Sequence, residues 1–270
     1  MLAKPVAVAV DGEGTLYVAD TGRHEVVAYD EDGRSVRRFQ PPDRNGYRPV
    51  AVAVRDERLY VADIEAHRID VFAISDGAHI DSFGGAGSDL GRFYFPMGVA
   101  TNTRGDLFVS DMMNARVQVF DPRYNPVLSI GRPGNRHGDI GKPRHLAVAP
   151  DGVVFIADVE FAHIHLFNEK GQLLMLLGGP EDSPGGTPMP VGVAVAARLP
   201  EKLASLVPED FEAAYYLFVT NSVGAKRISL FAVGEKGVGM IFFETTRRFA
   251  APEQTTAPFR SAKAMKKKSS

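Results

Sequence analysis

At residues 107–111 the chain has the pentapeptide Leu107-Phe108-Val109-Ser110-Asp111, and four related pentapeptides occur along its length. These are Leu16–Asp20, Leu59–Asp63, Val154–Asp158 and Leu217–Asn221. Each copy follows a segment that begins with proline, and each precedes an apolar stretch that ends in an aromatic residue. The copies recur about every 45 residues, except that an insertion separates the last two, and such a period indicates one repeated supersecondary unit.

Each repeat contains four segments with the alternating pattern of β-strands. In the first repeat they are Val6–Val10, Leu16–Ala19, Glu25–Tyr29 and Ser35–Phe39, separated by turns rich in Asp and Gly. The pattern predicts an all-β fold, a β-propeller of four-stranded blades with five blades visible. We expect residues 1–250 to form the propeller, residues 197–214 to form a helical insertion, and residues 251–270 to be a disordered basic tail.

Several segments resemble NHL repeats. They are residues 83–96 (Phe-Gly-Gly-Ala-Gly-Ser-Asp-Leu-Gly-Arg-Phe-Tyr-Phe-Pro), Gly105–Asp111, Asp111–Arg116 and Val117–Phe120. The resemblance extends over about residues 5–247 and implies a ring that usually has six blades. Five visible blades leave three interpretations: a five-bladed ring, a missing N-terminal blade, or a gap filled by a partner. We favour the missing blade, with self-association as a consequence if the ring is incomplete.

Composition excludes several classes of protein. The chain is 44% hydrophobic, which rules out bulk disorder, and it has no Cys, which rules out disulfide scaffolds and thiolate chemistry. The net charge is −2, and the last 20 residues contribute +4, so the preceding body carries −6 and nucleic acid is an unfavourable partner. No apolar run is long enough to span a membrane, and no signal peptide is visible. The compartment stays open, including an extracytoplasmic one if the N-terminus is truncated.

The pentapeptides place four carboxylates and one amide at the same end of the propeller. We call this end the top: it holds the loops before the first strand and after the second strand of each blade. The residues are Asp20, Asp63, Asp111, Asp158 and Asn221. They could form a ring that holds a divalent cation, or each could close its own turn by accepting backbone N–H groups. Recurrence in every blade favours turn closure, so we assign no metal site and predict no cofactor.

Blade 4 departs from the repeat at its first strand. The two residues after its proline are Arg144 and His145, where the other blades have small or apolar residues. A guanidinium and an imidazole at the channel mouth would supply anion binding or acid–base chemistry, with Asp158, Glu160 and Asn114 nearby. Alternatively, Arg144 pairs with an acid and His145 fills a wider gap.

Two other features of blade 4 are polar. His163 and His165 are two residues apart on one strand and therefore lie on the same face. This spacing suits a metal, but no third ligand has credible spacing. Among the glycine-rich loops between blades, residues 135–139 (Asn-Arg-His-Gly-Asp) are the most polar and are a candidate contact site.

The resemblance implies two functions. NHL-like propellers often act as non-enzymatic scaffolds, and here the top-face loops would bind a protein, peptide or glycan. Similar-looking propellers also include metal-dependent lyases and lactonases, whose site lies at the channel mouth. We favour the binding scaffold, because the sequence offers no convincing set of three asymmetric metal ligands.

Overall fold

The computed structural model contains five β-sheets arranged as consecutive blades. It describes residues 2–43, 46–179, 186–204, 207, 211–224, 227–234 and 243–244. Each sheet has four antiparallel strands, paired in the order in which they occur in the chain. The described residues include one short α-helix, α1 (Glu201–Ala204), and one 3-10 turn at Met112–Asn114.

The strands are numbered β1 to β20 in chain order. Blade 1 comprises β1 (Pro5–Val10), β2 (Leu16–Asp20), β3 (Glu25–Tyr29) and β4 (Ser35–Phe39). Blade 2 comprises β5 (Pro49–Arg55), β6 (Arg58–Asp63), β7 (Arg68–Ala73) and β8 (His79–Gly84). Blade 3 comprises β9 (Pro96–Thr101), β10 (Leu107–Asp111), β11 (Arg116–Phe120) and β12 (Pro126–Ile130). Blade 4 comprises β13 (Pro143–Val148), β14 (Val154–Asp158), β15 (His163–Phe167) and β16 (Leu173–Gly178). Blade 5 comprises β17 (Pro190–Ala196), β18 (Tyr215–Asn221), β19 (Ile228–Val233) and β20 (Phe243–Glu244).

Apolar side chains pack between successive blades. Tyr17 and Phe39 of blade 1 share a buried cluster with Val52 and Phe72 of blade 2. Equivalent clusters join blades 2 and 3, blades 3 and 4, and blades 4 and 5. In blades 2, 3 and 4 the second and third strands are almost entirely buried, because both of their faces meet a neighbouring blade. The predicted all-β propeller of five four-stranded blades is confirmed.

Blade 1 differs from the others on the face that points away from blade 2. Val8 on β1 is 59% exposed, whereas the matched residues of the other first strands are between 1% and 5% exposed. Those residues are Val52, Val99, Leu146 and Val193. On blade 5, Thr220 is exposed where its counterparts in the other four blades are fully buried. Among the described residues, the first strand of blade 1 and the end of β18 therefore lack the cover that their counterparts have, whereas Val18 and Val27 on the same face as Val8 are buried.

This difference in exposure predicts that a Val→Ala substitution destabilises the protein more at position 52 than at the matched position 8. Val52→Ala should lower the free energy of unfolding by about 2 kcal/mol, because it removes buried methyl groups from the core between blades 1 and 2. Val8→Ala should change it by no more than about 0.5 kcal/mol. Urea unfolding of both variants measures the difference. Equal losses would mean that Val8 is also packed in solution.

The insertion of blade 5 is less helical in the described residues than the sequence suggests. Only Glu201–Ala204 is α-helical, with the amides of Leu203 and Ala204 donating to the carbonyl of Pro200. Residues 205–206 and 208–210 of the predicted helical insertion lie outside the described residues, as does the tail 251–270. The outer strand of blade 5 is described only at Phe243–Glu244. No described helix is long and apolar enough to cross a membrane.

Candidate functional site

The carboxylates at the top are directed at the backbone of their own blade. Asp20 accepts the amides of Ala3 at 2.6 Å and Lys4 at 2.8 Å, and Asp158 accepts those of Gly141 at 2.7 Å and Lys142 at 3.0 Å. Asp63 accepts the amides of residues 48, 65 and 66. These bonds tie the loop before the first strand to the end of the second strand.

Electrostatics support this arrangement. Burial acts to raise the pKa of Asp20, but the N–H groups of Lys4 and Ala3 outweigh it and hold that pKa below its usual value. Burial also acts to raise the pKa of Asp158. His165 and the amides of Lys142 and Gly141 outweigh this effect and hold that pKa below its usual value. In blade 5 the neutral Asn221 donates to the hydroxyl of Ser229 at 3.3 Å.

Asp111 has the most side-chain partners of the set. It accepts the Tyr94 amide at 2.7 Å, Nδ2 of Asn114 at 2.8 Å and Nε of Arg116 at 2.9 Å. Nε2 of Gln118 lies 3.2 Å from the same carboxylate. Asn114, a sequence-predicted site residue, also donates to the carbonyl of Gly87 at 2.9 Å, so it braces the turn that follows β10.

Arg144 and His145 occupy different surroundings. The Arg144 side chain is exposed, and its carbonyl accepts the Ser110 hydroxyl at 2.7 Å. His145 is partly buried towards blade 5, and its Nδ1 lies 3.1 Å from the carbonyl oxygen of Val193. An Nδ1–H tautomer donates there and links β13 to β17. The structure thus brings His145 into the joint between blades 4 and 5.

His145 makes the stability of the joint dependent on pH. Burial, aided by the charge of Arg144, lowers the pKa of His145 from its ordinary 6.5 despite the opposing bond to Val193. As the pH falls through 6.5, the unfolded chain takes up this proton before the folded chain does, so stability falls towards acid.

We therefore expect His145→Ala to reduce the loss of stability between about pH 7 and pH 5. Alanine is the residue that blades 1 and 2 have at this position, as Ala7 and Ala51. The free energy of unfolding at the two pH values measures the effect, with His137→Ala on the exposed loop as the control. An unchanged pH dependence in His145→Ala would contradict the assignment.

A cleft of about 370 Å³ opens at the top between blades 3 and 4. The turn after β10 contributes Met112, Met113 and Ala115, and the turn after β14 contributes Glu160 and Phe161. The loop before β13 supplies Pro133, Gly134, Ile140, Gly141 and Lys142. Lys142 and Glu160 form an exposed ion pair at 3.4 Å on the rim, and Met113 is 50% exposed. The cleft is therefore lined by both apolar and polar groups, with charged side chains at its edge.

A second cavity of about 230 Å³ adjoins this cleft, and Phe161 lines both. We call it the histidine cavity. His163 and His165 from β15 and Leu176 from β16 line it together with residues 135–139 of the loop. The polar loop segment that the sequence singled out therefore faces the histidine pair. Within the described part of the chain, no three His, Asp or Glu side chains are grouped so that they could hold a metal ion.

The apolar cleft is absent from the sequence-based expectations. Its residues come from turns of two different blades, and the repeat pattern marks those turns only as turns. One signal was available: Met112 and Met113 follow Asp111 directly, where blades 1 and 2 have Thr21-Gly22 and Ile64-Glu65. Two methionines at the top of one blade are a deviation from the repeat of the same kind as Arg144-His145.

Comparisons with known proteins agree with this architecture. The family model of the NHL repeat matches residues 2–29. Together with the five four-stranded blades, this match confirms the resemblance to NHL-repeat propellers seen in the sequence.

Solved structures show the same fold at low identity. A catalytically inactive virginiamycin B lyase from Staphylococcus aureus, solved with quinupristin, is 14% identical with a TM-score of 0.64, covering 91% of this chain and 71% of that one. A streptogramin B lyase is 13% identical with a TM-score of 0.58, covering 89% and 76%. The hydrazine synthase of Kuenenia stuttgartiensis is 15% identical with a TM-score of 0.54, covering 88% and 69%.

Proposed function

We propose that this protein is a non-enzymatic binding propeller that holds a peptide or protein segment in the top-face cleft between blades 3 and 4. The observation behind this proposal is the lining of the cleft, which combines Met112, Met113 and Phe161 with the ion pair of Lys142 and Glu160. Such a combination of apolar side chains with a few polar groups is typical of binding sites for peptides and small ligands.

Methionine suits this role physically. Its unbranched thioether adapts to side chains of different shape, and exposed methionines are common on surfaces that bind several partners. A large apolar side chain that becomes fully buried in the cleft would contribute about 1.5–3 kcal/mol. The exposed charges of Lys142 and Glu160 would orient the partner more than they would add affinity.

Further exposed apolar residues lie on the top-face loops. Tyr94 is 45% exposed and Met189 is 40% exposed, and both belong to loops before the first strand of a blade. The Tyr94 ring is stacked on His67 at 5.2 Å, so it is held in place before a partner arrives. The exposed methionines and aromatic rings favour a peptide or protein partner with apolar side chains over a glycan.

Selection from a phage-displayed library of random peptides tests the proposal. We expect peptides with a large apolar side chain to be enriched on the wild-type protein and not on Phe161→Asp. Val127→Asp is the matched control, because Val127 is a 59% exposed residue on the outer strand of blade 3, away from the cleft. A lack of enrichment, or equal enrichment on Phe161→Asp, would contradict the proposal.

The alternative is a metal-dependent lyase or lactonase-type enzyme with its site at the channel mouth. Its support is the likeness in fold to virginiamycin B lyase, and a fold does not determine an activity. Elemental analysis of the purified protein and of His145→Ala separates the two functions. A stoichiometric metal that the variant loses would favour the enzyme over the scaffold.

A further inference from the structure

Blades 3 and 4 have matching loops before their first strands. Residues 84–95 and 131–142 are equal in length, and each contains a parallel bridge at the same place, Ala86 with Phe93 and Pro133 with Ile140. Gly91 and Gly138 occupy the same position with φ of 82° and 89°. The two loops can therefore be compared residue by residue.

In blade 3 a side-chain amide closes the space beneath this loop. Gln118 on β11 is fully buried, and its Oε1 accepts the Gly91 amide at 2.9 Å. Its Nε2 donates to the carbonyl of Arg92 at 2.7 Å. Next to it, Arg116 donates to the carbonyls of Asp89 and Arg92 at 2.9 and 3.1 Å. The chain thus fills this site with its own amide and guanidinium.

In blade 4 two shorter imidazoles replace these groups. His163 stands at the position of Arg116 and His165 at that of Gln118, and the histidine cavity lies between them and the loop. The amide of Gly138 and the carbonyl of Asp139, which match the two groups bound by Gln118, have no hydrogen-bond partner among the described residues. The loop of blade 4 therefore leaves one backbone donor and one backbone acceptor unpaired at the positions that bind an amide in blade 3.

His165 adds a third group. It is 3% exposed, lines the cavity, and forms no hydrogen bond of good geometry within the described chain. Its Nε2 lies 3.3 Å from Oδ2 of Asp158, which favours the tautomer with the proton on that nitrogen. Nδ1 is then a buried acceptor without a donor, and an unsatisfied buried group of this kind lowers the stability of the fold.

We propose that the histidine cavity binds a side-chain carboxamide, from a glutamine or asparagine of the peptide held in the adjoining cleft. The ligand amide would accept the Gly138 N–H and donate to the Asp139 carbonyl and to Nδ1 of His165, as Gln118 does towards the loop of blade 3. This inference rests on the proposed function only for the source of the amide, a bound peptide. The chemistry of the cavity does not depend on the proposed function.

Charge favours a neutral group over an ion. A carboxylate would meet the carbonyl of Asp139 and the lone pair of His165, and both repel it, although the cation of Arg136 in the same cavity attracts it. A guanidinium would lie close to Arg136, which lines the same cavity. The carboxylate of Asp139 is already engaged by Nε of Arg132 at 2.9 Å. A carboxamide matches one donor and two acceptors without adding charge.

Two small probes of the same size test the proposal. Acetyl-glutamine methylamide and acetyl-glutamate methylamide are titrated into protein with isotope-labelled histidine, and the ring resonances of His165 are followed by NMR. We expect the glutamine probe to shift these resonances and to bind at least tenfold more tightly than the glutamate probe. Equal or tighter binding of the glutamate probe would overturn the proposal in favour of an anion site.

The variant His165→Gln provides a second test. It places the chain's own amide where blade 3 has Gln118. We therefore expect the variant to have a higher melting temperature and to bind the glutamine probe at least tenfold more weakly. Undiminished binding of the probe to the folded variant would contradict the proposal. Peptides selected for binding to the cleft should still bind His165→Gln but lose their preference for glutamine over glutamate. An error in the proposal for the cavity and an error in the proposal for the cleft therefore give different results.

Discussion

Replacement of Asp111 by alanine is expected to lower the free energy of unfolding by about 3–5 kcal/mol, the cost of leaving the partners of a buried charge without it. Arg116, Gln118 and the Tyr94 amide all donate to this carboxylate. They would then lie beside a cavity that contains no acceptor. The measurement is urea unfolding followed by circular dichroism.

The control for this prediction is Asp121→Ala. Asp121 also closes a turn, accepting the amides of Arg123 and Asn125 at 2.9 Å, but its bonds are exposed. We expect it to cost no more than about 1 kcal/mol. If Asp111→Ala were as stable as the control and instead lost affinity for a cation, the top carboxylates would be a ligand-binding ring.

Phe161→Asp is expected to weaken binding of a cleft-selected peptide by about a hundredfold, which corresponds to about 2.7 kcal/mol. Phe161 lines both the apolar cleft and the histidine cavity, so the substitution removes a shared wall and places a charge next to an apolar side chain. Isothermal titration calorimetry measures the change.

The folded state of the variant must be verified, because Phe161 also contacts His165 at a ring distance of 6.5 Å. An unchanged melting temperature with lost affinity would assign the effect to binding. Val127→Asp, with the same change of charge on the outer strand of blade 3, should bind as the wild type does. Similar losses in both variants would point to a nonspecific effect of charge.

The repeat made most of the fold predictable. Proline at the start of the first strand and Asp at the end of the second recur because Pro143 pairs with Asp158, and Pro49 with Asp63, in the same register. The role of these Asp residues in closing turns could be inferred as well, because a residue that recurs from blade to blade is expected to stabilise the structure that the blades share.

The sites were harder to predict because they depend on contacts between segments far apart in the chain. His165 and residues 135–139 were both noticeable in the sequence, but only the structure shows that they line one cavity. An alignment of the sequences of β11 and β15 shows that His165 stands where blade 3 has Gln118. The local sequence does not distinguish Val8 from Val52, since both belong to identical Pro-Val-Ala-Val-Ala-Val segments and their exposure depends on the neighbouring blade.

Labelling of the methionine methyl groups tests the central proposal most directly. Met112 and Met113 line the cleft, whereas Met175 packs against the core of blades 4 and 5. On addition of a peptide selected from the library, we predict that the NMR signals of Met112 and Met113 shift in proportion to occupancy while that of Met175 stays unchanged. Binding that leaves the signals of Met112 and Met113 in place would show that the partner is held elsewhere and would contradict the proposal.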